Sequence, residues 1–285
     1  MERLYVMGVG LIGGSFARAV KASYPETRVY GLDKDKNNLQ EAMRLGIIDD
    51  TASHEDLAQA DMVFIAIPVD ATKLILPEIL DVISDDCVVI DAGSTKQSVC
   101  DVVRQHPRRR NFLAAHPIAG TEFSGPGAAI SSLFSGKTNI ICEVEETAFK
   151  LQEKALAVFG RIGMRIRYMN PSAHDKHIAY VSHLSHISSF MLGKTVMEKE
   201  KNERDIFDMA GSGFESTVRL AKSSPDMWTP IFEENRENVL ETLEEYIANL
   251  TRFKNLMEEK HFKEIYKEME EANHIGKILS GIHTH

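Results

Sequence analysis

An α/β fold, with a mostly parallel sheet in the N-terminal part and an all-helical C-terminal domain, is what this 285-residue sequence predicts. Three observations carry the prediction. Short, fully apolar runs alternate with helical patterns through the first half, as in a parallel sheet covered on both faces. A glycine-rich turn separates the first such run from the first helix. Beyond about residue 170 strand signals stop and only helical periodicity remains.

Taken in order, RLYVMGVG (3–10) reads as a strand and GGSFARAVKAS (13–23) as its helix. RVYGLD (28–33) is the next strand, and DKNNLQEAMRLG (35–46) a helix ending near Gly46. MVFIAIP (62–68) is a strand before the helix TKLILPEILDVI (72–83). CVVIDAG (87–93) is a strand, SVCDVVRQH (98–106) a helix, and NFLAAHP (111–117) and NIICEV (139–144) two more strands. FKLQEKALAVFGRIG (149–163) is a helix and RIRYMN (165–170) a closing strand. The Asn170-Pro171-Ser172 turn then marks a boundary, giving domains over 1–170 and 171–285, with Ser172 able to cap the helix that follows. Residues 172–200, 228–257 and 262–279 carry apolar residues at helical spacing, and the last two stretches are too apolar for a two-helix layer to bury alone.

Composition narrows the function. The net charge of −9 argues against a general nucleic-acid binder, which needs a basic face. Arg108-Arg109-Arg110 is the basic exception and reads as a solvated loop. Three widely spaced cysteines, Cys87, Cys100 and Cys142, make neither a disulfide framework nor a zinc site. There is no charged start followed by an apolar signal segment, and no apolar run of the ~20 residues a bilayer span needs. A cytoplasmic enzyme without a resident metal is expected.

Gly8-Val9-Gly10-Leu11-Ile12-Gly13 is a GxGxxG turn between strand and helix, and Asp33 ends the second strand about twenty residues later. This is the dinucleotide fingerprint of a Rossmann-type domain. Gly8 permits the tight turn, Gly10 lets the backbone approach a pyrophosphate, and Gly13 lets helix and strand pack closely. The helix start at Leu11 and Ile12 offers free N–H groups and a positive dipole end. The Asp33 carboxylate accepts from a ribose diol and repels a 2′-phosphate, so NAD is the expected cofactor. Lys34 and Lys36 weaken that preference, since either can reach a phosphate.

Ligands of open parallel sheets bind outside the carboxyl ends of the strands. Those ends carry Pro68, the Gly93-Ser94-Thr95-Lys96 turn and His116. A histidine leaving a strand beside a nicotinamide can take the proton of a hydroxyl whose carbon gives up hydride; the alternative is a histidine that merely closes a turn. Ser94 either orients His116 or caps the next helix, or does both. Lys96 is either a general acid or base or a solvated first-turn lysine. In the helical half His174, His177, His183 and His186 crowd one stretch without metal-ligand spacing. Ser182, His183 and His186 form a polar stripe that reads as a substrate wall. Arg219 can bind a carboxylate bidentately or lie on a helix surface.

VGLIGGSFA, DAGSTK, AAHPIAGTEFSGPGAA, HDKHIAYVSHLSHISS and GFESTVRLAKSSPDMW together resemble the TyrA family, the prephenate and arogenate dehydrogenases, over roughly residues 1–260. The resemblance implies oxidative decarboxylation of prephenate with NAD, or of arogenate as the alternative. It also implies His116 as catalytic histidine, Ser94 as the residue orienting it, and His186 and Arg219 as substrate ligands. Thr121, Ser182 and His183 fall at pocket positions, Trp228 near the mouth, and a homodimer is implied. Glu215 and Ser216 depart from some relatives, so ion-pair details at that segment do not carry over. The tail after residue 260 is too short for a fused regulatory or mutase domain.

Overall fold

The computed structural model describes residues 1–201, 203 and 205–283. Packing divides the chain into two compact units, Met1–Arg236 and Glu237–His285.

The first unit is built on one eight-stranded sheet. Its strands are β1 (Arg3–Met7), β2 (Arg28–Leu32), β3 (Asp50–Thr51), β4 (Met62–Ile65), β5 (Val88–Asp91), β6 (Phe112–Pro117), β7 (Thr138–Cys142) and β8 (Arg165–Met169). The spatial order is β3-β2-β1-β4-β5-β6-β7-β8, and every pairing is parallel except β6 with β7. The order reverses between β1 and β4, which opens a crevice at the carboxyl end of β1. β3, only two residues long, is below what an apolar run can signal.

The connecting helices are α1 (Leu11–Ser23), α2 (Lys36–Arg44), α3 (Val69–Val82), α4 (Gln97–Val103) and α5 (Phe149–Arg161). Phe16, Ala17 and Val20 of α1 and Leu151, Ala155, Val158 and Phe159 of α5 bury one sheet face. Leu76, Ile79 and Leu80 of α3 and Val99, Cys100 and Val103 of α4 bury the other. The three cysteines are free and buried, and burial pushes their thiols up, Cys87 and Cys142 to about 12, so none is a thiolate at neutral pH. The basic run is not a solvated loop throughout. Arg109 is buried, donating to the Phe112 carbonyl at 3.0 Å and to Glu143 at 2.9 Å, because it closes the chain entry to β6.

The helices after β8 are α6 (Pro171–Ile178), α7 (Leu184–Glu200), α8 (Ser212–Val218), α9 (Pro225–Glu234), α10 (Arg236–Glu258), α11 (Phe262–Ala272) and α12 (His274–His283). Asn170, not Ser172, caps α6: its side chain accepts from the N–H groups of Ser172 and Ala173. The strand-to-helix change does fall at Asn170, but the first compact unit runs on to Arg236. The reason is that Trp228 and Ile231 of α9 join the α3/α4 side of the core, and Lys73 of α3 pairs with Glu234 at 2.7 Å. The stretch 228–257, read as one helix, breaks at Asn235, and 262–279 breaks at Asn273. In the second unit Ile247, Leu250, Phe253, Tyr266 and Met269 stay exposed. Among the described residues no helix is long and apolar enough to cross a membrane, and no acidic, histidine or cysteine cluster could hold a metal.

Candidate active site

The glycine turn has the geometry its sequence implies. Gly8 sits at φ +84°, and a Cβ there would lie 2.3 Å from the Ala66 carbonyl oxygen. A Cβ on Gly13 would lie 1.9 Å from the Gly8 carbonyl oxygen, so α1 packs onto the turn through bare backbone. Gly10 is different: its Cβ would meet only the Gly125 nitrogen, at 3.9 Å, so this face is open to an approaching group. Gly10 is also the N-cap of α1 and makes no side-chain cap, which leaves the first N–H groups, at Leu11 and Ile12, available. An open face over an uncapped helix start fits a pyrophosphate. Asp33 Oδ2 accepts from Val9 N–H at 3.0 Å, which holds the carboxylate beside the turn. Pro68 begins α3 on the other side of the crevice.

The loop after β6 reaches across to this turn. Ile130 N–H donates to Ser15 Oγ at 3.0 Å, and Ala129 packs where a Cβ on Gly14 would sit. β6 runs parallel to β5, β4 and β1, so His116, near its carboxyl end, lies at the same edge of the sheet as the glycine turn.

The partner of His116 is not Ser94. His116 Nδ1 lies 2.8 Å from His174 Nε2, and His174 Nδ1 lies 2.8 Å from Asp175 Oδ1. Ser94 is partly buried and makes no hydrogen bond to His116. It does not cap α4 either. Asp175 does that from α6, accepting from Lys96 N–H at 2.8 Å and Gln97 N–H at 2.9 Å. The expectation that Ser94 fixes the ring is thus replaced by a two-residue chain from α6. Lys96 is likewise not a solvated lysine. It is fully buried, with its ammonium on the equally buried Asp91, the last residue of β5. Burial, then His174, then the Lys96 charge hold His116 well below the ordinary histidine range. Burial also lowers His174, opposed by its bond to Asp175.

Between α6 and α7 the chain makes one π turn, Ala179–His183. In an unbroken α-helix nine positions would turn His183 to the side opposite His174. The wider turn brings it back to within about a quarter-turn of that face. His183 is fully buried, and burial drives it down to about 4. Its ring stands edge-on to Trp228, with centroids 5.8 Å apart. His186 stacks on the same indole at 3.5 Å and donates from Nδ1 to the Ser182 carbonyl at 2.9 Å. Burial lowers His186 too, and Arg219 is close enough for its charge to add to that. Arg219 is 47% exposed and donates from Nη1 to Glu122 Oε2 at 3.0 Å. Glu122 comes from the loop after β6, and a backbone N–H bond first, then the guanidinium, hold its carboxyl low. Thr121 on that loop is exposed, with its hydroxyl accepting from Phe123 N–H at 3.3 Å. His116, His186 and Arg219 are thus drawn together, and Thr121 and Ser182 contribute local loop and backbone contacts. His183, expected on the substrate wall, is instead packed against Trp228 and Asn235 with no surface to offer a ligand, because the π turn rotates it into the core.

Sequence reasoning missed Asp175, Asn235, Asp91 and the burial of Lys96. The available signal was an acidic residue directly after His174, in a helix with few other charges.

A dinucleotide turn at the same sheet edge as a histidine held largely neutral, together with a group of imidazole, indole and guanidinium, defines a nucleotide-dependent dehydrogenase. Two family models match the chain: the prephenate dehydrogenase nucleotide-binding domain over residues 16–168, and the prephenate dehydrogenase dimerization domain over 170–271. The chain belongs to the prephenate dehydrogenase family. It is 30% identical over 270 residues to the prephenate dehydrogenase of Bacillus subtilis, covering 93% of this chain and 73% of that one. It is 29% identical over 276 residues to the cyclohexadienyl dehydrogenase of Zymomonas mobilis, covering 93% and 94%. The crystal structure of Aquifex aeolicus prephenate dehydrogenase with hydroxyphenyl propionate and NAD+ superimposes with a TM-score of 0.87 at 33% identity, covering 96% of each chain.

Proposed function

We propose that the protein catalyses oxidative decarboxylation of prephenate to 4-hydroxyphenylpyruvate, with NAD as oxidant, on the route to tyrosine. The observation that carries this reading is the chain Asp175–His174–His116, which occupies His116 Nδ1 and leaves Nε2 without a hydrogen-bond partner among the described residues, at the carboxyl end of β6. NAD, when bound, supplies the hydride acceptor for the substrate's C4. Gly8, Gly10 and Gly13 would shape its pyrophosphate site, the Leu11 and Ile12 N–H groups would hold the phosphates, Asp33 would accept from the ribose diol, and Pro68 would line the far side.

His116 Nε2 takes the proton of the C4 hydroxyl as carbonyl character develops there. Loss of the ring carboxylate as carbon dioxide makes the ring aromatic, so the residues need mainly to align the substrate. His186 and Arg219 form the wall that meets its carboxylates, with the buried His183 backing it through Trp228 and with Thr121 and Ser182 at its edges. For Ser94 the support is the family resemblance, not a contact to His116. Glu122 is already paired with Arg219, which disfavours its use for the ammonium of arogenate and supports prephenate. The matched dimerization model and the exposed apolar residues of α10 and α11 support a homodimer.

The test is NADH formation by the purified protein with prephenate and with arogenate. Turnover of prephenate by a wide margin is expected; turnover of neither, or of arogenate alone, contradicts the reading.

A further inference from the structure

Asp175 and Asn235 meet at a point where two side-chain chains converge. Asn235 is 3% exposed, and its Nδ2 lies 2.7 Å from the Asp175 carbonyl oxygen and 3.2 Å from His183 Nδ1. The amide orientation is forced: turned over, its oxygen would face the Asp175 carbonyl. Asn235 therefore donates both hydrogens, and His183 Nδ1 must accept. His183 carries its proton on Nε2. That ring stands against Trp228, and Trp228 carries His186 on its face.

The second chain runs the other way. Asp175 Oδ1 can only accept from His174 Nδ1, so His174 is the Nδ1–H tautomer and its Nε2 is an acceptor. His116 Nδ1 must then donate to it, which leaves the lone pair on Nε2. The carboxylate is fixed in turn by the Lys96 and Gln97 N–H groups, and Lys96 is tied to the end of β5 through Asp91. A carboxylate on the second nitrogen of a ring is how a histidine base is kept in its useful tautomer. Here an interposed histidine relays that effect.

We propose that Asp175 and Asn235 act as one positioning node, setting His116 as the Nδ1–H tautomer through His174 and His183 as the Nε2–H tautomer beneath Trp228 and His186. The catalytic consequence rests on the reading of His116 as base and His186 as substrate ligand; the tautomers do not. The node ties the base and the substrate wall to a single backbone-anchored contact, so neither ring can turn without breaking a buried hydrogen bond.

The direct test is long-range proton–nitrogen correlation on substrate-free protein labelled with 15N-histidine, above pH 7. Signals are assigned by difference spectra from His116→Asn, His174→Gln and His183→Gln. His116 and His174 are expected protonated on Nδ1 and His183 on Nε2. Protonation of His116 on Nε2, or of His183 on Nδ1, overturns the node.

Two variants extend the test. Asp175→Asn removes one acceptor oxygen, so the His174 tautomer is no longer fixed; turnover should fall roughly 10²–10⁴-fold with NAD affinity kept. Asn235→Leu keeps the bulk but cannot donate; the His183 signal should become a mixture, and KM for prephenate should rise more than turnover falls. Unchanged turnover in the first, or an unchanged His183 signal in the second, contradicts the proposal. Asp175 also caps α4, so if that variant does not bind NAD the wild-type spectra carry the test alone. Assigned tautomers together with normal turnover by His116→Asn would sustain the node and sink the function read for His116. An inactive His116→Asn with the opposite tautomer would do the reverse.

Discussion

His116 on β6 and His174 on α6, fifty-eight positions apart in the chain, share a 2.8 Å hydrogen bond between ring nitrogens. In the mechanism proposed that contact occupies Nδ1 and leaves Nε2 to act as the base, and burial above all, then His174, keeps the ring neutral.

Turnover should therefore persist well into acid. The base works only as neutral imidazole, so activity rises with pH through its pKa. Burial, His174, the Lys96 ammonium and His183 all push that pKa below about 6.5. The acid limb of the turnover profile should lie below pH 6.5. An acid limb centred above 7 contradicts this assignment.

Cofactor choice depends on Asp33. The unmodified protein should strongly prefer NAD, and Asp33→Ser should narrow the preference by weakening NAD and removing repulsion of a 2′-phosphate. Val9 N–H also loses its acceptor in that variant, so some general loss of affinity is expected. Steady-state KM values for both cofactors measure this, and equal use of NAD and NADP by the unmodified protein contradicts it.

Arg219 should act in ground-state binding. It is 47% exposed and already paired with Glu122, so the effect of removing it is moderated by solvent. Arg219→Ala should raise KM for prephenate about 10–100-fold, or about 1.4–2.7 kcal/mol, with a smaller change in turnover. An unchanged KM contradicts a substrate role.

Assembly should depend on the exposed apolar side chains of α10 and α11. Light scattering at micromolar concentration should give twice the chain mass, and Leu250→Glu should shift it toward monomer. A monomeric unmodified protein contradicts the assembly proposed.

How far the sequence reached depends on the range of the physics involved. Gly8, Gly10 and Gly13 were legible because the turn, the approach and the packing are all local backbone matters. His116 was legible because a strand's carboxyl end in a parallel sheet lies on the ligand side. Asp175 was not: it caps α4 from another helix, and no periodicity records a contact across seventy-nine positions. Lys96 looked like a first-turn lysine because its partner, Asp91, sits inside an apolar strand where an acid reads as a strand end. The π turn at Ala179–His183 also escaped, since one inserted residue leaves the apolar spacing nearly helical while changing which histidine faces inward. Ser94 was assigned by proximity in sequence to a strand end, and proximity did not become a contact with His116.

In the mechanism proposed, His116 takes the substrate proton. The most direct measurement is single-turnover NADH formation by His116→Asn with saturating NAD and prephenate, with NAD binding measured separately. Asparagine keeps a hydrogen bond but cannot accept the proton, so a loss of roughly 10²–10⁴-fold in the chemical step is predicted, with NAD affinity unchanged. A chemical step at the unmodified rate in a variant that still binds NAD would contradict the account.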